Sequence, residues 1–205
     1  MTRTARLRAV LVLNVALVAG LVIVGLSAHS LGVLAEGADY LADAAAIGVS
    51  LLAIWLSNQP PTLRRPGGYP NATNLAALVN GAWLLILSVA VIAGAVDRLA
   101  TGTQQVHGLP VLIVSGIAAV AMLGGAVLLG GEEDDGDLNM RAVLLDTAAD
   151  AAAAGGVAVT GAVILAAGGL YWLDPTVALV ISAVVAYHAV KLLRAVAAAL
   201  LAERR

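Results

Sequence analysis

The sequence predicts an all-α membrane protein with six transmembrane helices and both termini in the cytoplasm. Three observations carry that expectation. Of the 205 residues, 61% are hydrophobic and only 12% charged, far from the make-up of a soluble domain. Six apolar stretches each approach the roughly 20 residues that a helix needs to cross a bilayer, and short connections join them, leaving nothing over for a soluble domain. Two of those stretches carry paired acids at one spacing, Asp39 with Asp43 and Asp146 with Asp150. The composition also excludes other classes. No basic stripe suits nucleic acid, and the absence of cysteine removes any disulfide framework or thiolate metal site. The net charge of −2 says little about partners, because five of the thirteen acids stand in one loop.

The first span is expected from about Ala9 to Ala28. Arg3, Arg6 and Arg8 precede it and keep the N-terminus inside; the run is too long, and too poor in a polar cleavage region, for a signal peptide. His29 and Ser30 mark a tight external turn. The second span, Leu31 to Ser57, carries Glu36, Asp39 and Asp43 in its first half and Trp55 near its far end, where an indole suits the headgroup zone. Prolines and glycines in Asn58–Asn71 forbid regular helix, and Arg64 and Arg65 place that loop inside. The third span, Leu75 to Val96, ends at Asp97 and Arg98 near the outer surface and reads as scaffold, with Asn80 and Trp83 assigned to packing.

After an outer connection holding His107, the fourth span runs from Pro110 to Leu129 and returns the chain inside. The acidic block Glu132, Glu133, Asp134, Asp135 and Asp137 follows, a like-charge run expected to be solvated. Gathering of cations by this block is the sharper reading of it. The fifth span, Leu138 to Gly169, begins near Arg141 and carries the second aspartate pair; its AAAAGG run lets neighbouring backbones approach. Tyr171 and Trp172 mark the outer interface. Asp174 and Pro175 open the sixth span, which ends near Leu201 with Lys191, Arg194, Arg204 and Arg205 on the inside.

An ionisable group at the centre of a membrane helix costs at least about 2.5–3.5 kcal/mol, so four aspartates there call for a partner. Residues four apart on a helix share a face, and each pair therefore presents two carboxylates one turn apart. Together the pairs offer four oxygen ligands, enough for tetrahedral zinc or, with waters added, octahedral manganese, cobalt or iron, with a lean to the harder ions. A cluster of buried carboxylates holds protons when empty and releases them when a divalent cation enters, so metal and protons compete for one site. The alternative is that the aspartates serve as structural hydrogen-bonding groups or pair with arginine, of which only Arg141 is near in sequence. Glu36 is expected at the outer mouth of the site and Tyr40 on another face of its helix. The scattered His29, His107 and His188 read as structural or interface residues.

The stretch SLGVLAEGADYLAD resembles the second-helix signature of the cation diffusion facilitator family. RRPGGYPNATNLAALVN, NMRAVLLDTAAD and LDPTVALVISAVV are similar to further signatures of that family, so the resemblance runs along the whole chain. It implies a six-helix, multi-pass cell-membrane exporter, of the inner or plasma membrane of a prokaryote, that exchanges a divalent metal ion (Zn2+, Cd2+, Co2+, Mn2+ or Fe2+) for protons. The ligands carried over by position are Asp39, Asp43, Asp146 and Asp150. Zinc-favouring relatives commonly place histidine in one or both pairs; four aspartates are closer to the manganese-type pattern. The loop after the second helix lacks the acids and histidines that bind metal in some members, which argues against a second site there. A single transmembrane domain of residues 1–205 without the family's cytoplasmic C-terminal domain is expected, so that a homodimer would be held by membrane helices. A non-transporting membrane subunit and a proton or monovalent-cation pathway are the rival functions.

Overall fold

A computed structural model describes the backbone of residues 3–57, 72–130 and 138–202, and side chains for 15–45, 48, 55, 74–75, 77–124 and 147–201. Six α-helices and no strand occur among the described residues: α1 (Arg3–Ser27), α2 (Leu31–Ser57), α3 (Ala72–Thr101), α4 (Gly108–Gly130), α5 (Leu138–Ala167) and α6 (Leu173–Ala202). The all-α expectation holds, and α2 has the bounds read from the sequence. The third helix does not stop at Val96 but continues to Thr101, because Arg98 has a partner inside the protein, described below. The acidic block 132–137, the arginine loop 58–71, and the side chains of Arg141 and Asp146 lie outside the described residues.

Why these segments enter a membrane is plain from their surfaces. Among the described residues, Ala77–Thr101, Thr147–Ala167 and Leu173–Leu201 are long and apolar enough to cross one, and the stretches Val15–Ser27 of α1 and Gly108–Gly124 of α4 are apolar as well. Large apolar side chains such as Ile23, Ile86, Ile117, Val120, Val159 and Val180 face outward. Each such side chain is unfavourable in water by roughly 1.5–3 kcal/mol relative to burial, and a lipid surround removes that cost. The protein is a multi-pass membrane protein.

Inside, small residues set how the helices pack. The closest pairs are α4 with α5 and α3 with α6, while α2 lies between, touching α1, α3, α5 and α6. Gly108 and Gly161 bring α4 and α5 into backbone contact: a Cβ at Gly161 would stand 2.6 Å from the Leu112 nitrogen, and one at Gly108 2.5 Å from the Gly161 carbonyl. Only glycine allows that approach. The buried core runs through Leu21, Val33, Tyr40, Val111, Val157 and Ala178. His29 turns the chain between α1 and α2 with φ 57°, a left-handed conformation that non-glycine residues seldom adopt.

Three connections gather at one end of the bundle, here called the hairpin end. The His107 N–H donates to the Ala28 carbonyl at 3.2 Å, tying the start of α4 to the α1–α2 turn. Arg98, near the end of α3, donates to the His29 carbonyl at 2.5 Å, and Asp174, in the first turn of α6, receives N–H groups of α2. Packing thus fixes the starts of α2, α4 and α6 at a common level.

Candidate metal centre

From that level the depth of the acids follows. At 1.5 Å per residue Asp43 lies about 18 Å along α2 from Leu31, and Asp150 lies about 17 Å along α5 from Gly161, which touches the start of α4. Asp39 and Asp43 are one turn apart on α2, and Asp146 and Asp150 one turn apart on α5, and the two helices touch. Asp39, Asp43 and Asp150 are each half-buried, and each interacts with other groups of the protein. The side chain of Asp146 is outside the described residues, and among the described residues no group of three or more acid or histidine side chains is close enough to hold an ion.

Tyr40 stands near acids of both helices. Its side chain is 1% exposed and lies within interaction range of Glu36, Asp39 and Asp43 on its own helix and of Asp150 on α5. This corrects two expectations. Tyr40 does not sit on another face: 36, 39, 40 and 43 follow the i, i+3, i+4, i+7 rule and form one stripe. Glu36 is not at an open mouth either. It is 1% exposed, and the Ser115 hydroxyl of α4 donates to its Oε2 at 2.6 Å, a bond to a carboxylate that stabilises by roughly 1.5–3 kcal/mol if the acid is ionised. Among the described residues Glu36 Oε1 and the Tyr40 hydroxyl find no hydrogen-bond partner.

The other side of Asp39 faces α3 and α6. A cavity of about 10 Å³ lies there, lined by Asp39, Ser88 of α3, Ser182 of α6 and apolar neighbours. It has about the room of one water molecule. Ser88 donates its own hydroxyl proton to the Leu84 carbonyl at 2.9 Å, leaving its oxygen lone pairs toward other donors. Asp39 therefore stands where α2, α3 and α6 meet, while Asp150 belongs to the tightly packed α4–α5 pair.

Sequence reasoning passed over a second buried acid. Asp174 is 1% exposed and closes the start of α2 from across the bundle. Ser30 Oγ donates to its Oδ1 at 2.5 Å, the Leu31 N–H to Oδ2 at 2.7 Å and the Gly32 N–H to Oδ1 at 3.2 Å. Ser30 in turn accepts the Val33 N–H at 3.1 Å. The first free N–H groups of α2 are thus all satisfied. Asp174 was assigned only to the opening of α6; the available signal was Ser30 as an N-cap immediately before an apolar run. Trp83, assigned to packing, is half exposed on the outer surface, whereas Asn80 is buried as expected. His29, His107 and His188 are exposed.

The family model described as "Cation efflux transmembrane domain" matches residues 7–201. Zinc transporter ZitB of Yersinia pseudotuberculosis is 30% identical over 167 residues, covering 80% of this chain and 52% of that protein. A cadmium, cobalt and zinc/H(+)-K(+) antiporter of Bacillus velezensis is 26% identical over 190 residues, 89% of this chain and 60% of that protein. The human proton-coupled zinc antiporter SLC30A2 is 37% identical over 115 residues, 53% of this chain and 30% of that protein. The chain spans about half the length of the bacterial relatives and less of the human one.

Proposed function

Because the chain belongs to the cation efflux family, the cation diffusion facilitators, we propose that it is a secondary transporter that exports a divalent transition-metal ion in exchange for protons. Asp39, Asp43, Asp146 and Asp150 are the residues assigned to the ion. The observation that carries the reading is the Tyr40 seam, where one buried side chain lies near acids of both α2 and α5 at one depth of a membrane bundle. Carboxylates brought together repel when ionised, and either protons or a dication removes that repulsion. Entry of the metal then expels protons, and return of protons expels the metal. The ligands are divided between helices with different packing partners, so a relative movement of α2 and α5 changes the site and its access together.

All four assigned ligands are oxygens. That donor set suits manganese, iron or cobalt as well as zinc or cadmium and favours the harder ions, since neither thiolate nor imidazole is among them. The bacterial relatives named for zinc, cadmium and cobalt support the divalent class. The cytoplasmic placement of both termini rests on the arginine and lysine distribution, and the direction of export on an inward proton gradient exchanged for the metal. The test is metal uptake into inverted vesicles under an imposed pH gradient, run for each of the five ions. Uptake that collapses with the gradient and is lost when Asp43 and Asp150 are both replaced by alanine supports the reading; undiminished flux in that variant rejects it.

A further inference from the structure

The proposed transport site uses none of the polar groups at the hairpin end, yet those groups form the densest hydrogen-bonded knot described in the molecule. The Asp174 carboxylate receives Ser30, Leu31 and Gly32 from α2 and stands 3.9 Å from the Arg98 guanidinium of α3. Arg98 also holds the His29 carbonyl. One side chain of α6 therefore joins the starts of α2 and α6 to the end of α3.

Charge explains why the knot forms. Helices α2 and α6 both begin here, and the positive ends of two helix dipoles meet at one carboxylate, with a guanidinium as third source of positive charge. Shape agrees with charge: a Cβ at Gly32 would lie 3.1 Å from Asp174 Oδ1, so the carboxylate reaches these N–H groups across a bare stretch of backbone. The knot sits close to the aspartates. Asp39 is about 12 Å along the same helix from Leu31, at 1.5 Å per residue, and a helix transmits a tilt at its first turn directly to its second and third.

We propose that Asp174 is a latch: by holding the first turn of α2 against α3 and α6, it keeps the hairpin end closed over the aspartates, and its release opens them to that side. The functional meaning of the opening rests on the transport reading above, but the latch itself is readable without any ion. Asp174 touches no cargo in this scheme; it is a positioning residue that acts through α2.

The chain has no cysteine, which makes thiol labelling a clean readout. Ala35, buried beside Asp39 in the cavity between α2, α3 and α6, is replaced by cysteine and labelled with a charged methanethiosulfonate in metal-free detergent. A second reporter, Ala189→Cys, probes a buried position of α6 farther from the knot. Asp174→Asn and Arg98→Gln should each speed labelling at position 35 by about tenfold, loss of bonds to a charged partner being worth that much or more, and leave position 189 unchanged. Arg98→Lys, which keeps the charge, should restore slow labelling. Unchanged labelling at 35, or equal acceleration at both positions, overturns the latch. If Asp174→Asn yields no monodisperse protein, Arg98→Gln at the edge of the knot decides alone. A parent protein that binds no divalent ion yet shows this labelling pattern rejects the transport reading and leaves the latch standing.

Discussion

Two sets of acids meet α2, and they are treated in opposite ways. At its first turn Asp174 is surrounded by donors of the protein itself, a hydroxyl, two backbone N–H groups and a guanidinium. Two turns further on, Asp39 and Asp43 share a seam with Glu36 and the core residue Tyr40, and Tyr40 lies near Asp150 of α5 as well. A buried carboxylate whose charge is met by fixed donors contributes to the fold. One with further acids nearby becomes more costly to keep ionised as they ionise, and protons or a cation relieve that cost. The difference sets the acid that holds the start of α2 apart from the acids proposed to bind the ion.

That contrast can be broken by exchange of roles. The largest effect is expected from replacing Asp43 and Asp150 together by alanine: divalent-ion binding, measured by calorimetry, should vanish while the melting temperature holds or rises, since like charges have been removed. Asp174→Ala should do the reverse. Leaving a hydroxyl, two N–H groups and a guanidinium without their buried partner costs roughly 3–5 kcal/mol, read as a large fall in melting temperature, while folded protein at low temperature still binds the ion. A result in which both variants lose binding and stability alike would erase the distinction.

Smaller changes sharpen it. Gly161→Ala drives a Cβ against the Leu112 nitrogen, and overpacking of this kind costs typically about 1–3 kcal/mol. Because the shift moves α5 against α4, and α5 carries Asp146 and Asp150, ion affinity should fall along with the melting temperature. Ser115→Ala removes the donor to Glu36 and leaves a buried acceptor unpaired, costing about 1–3 kcal/mol at most. Affinity in that variant should stay at the parent value if Glu36 lies beside the site, and a clear loss would make Glu36 a ligand.

Much of this was legible in the sequence because the signals are local. Apolar length gave the helices, and the four-residue spacing put Asp39 with Asp43 and Asp146 with Asp150 on shared faces. The misplacement of Tyr40 was avoidable: adjacency to Asp39 suggested another face, but a stripe on a helix includes i+3 and i+4 together. Glu36 was a different matter. Its depth depends on α4 supplying Ser115, 79 residues away, and no spacing reveals that. The Asp174 knot joins residues 142 to 144 apart, and its meaning exists only once the starts of α2 and α6 are packed side by side.

The central claim is that the acids of α2 and α5 bind a divalent ion by giving up protons. Calorimetric titration of the purified chain with manganese and with zinc, in two buffers of different ionisation enthalpy, tests it most directly. The account predicts binding with net proton release, weakening as pH falls and absent from the Asp43→Ala, Asp150→Ala variant. Binding whose heat is the same in both buffers, or that survives in the double variant, would contradict it.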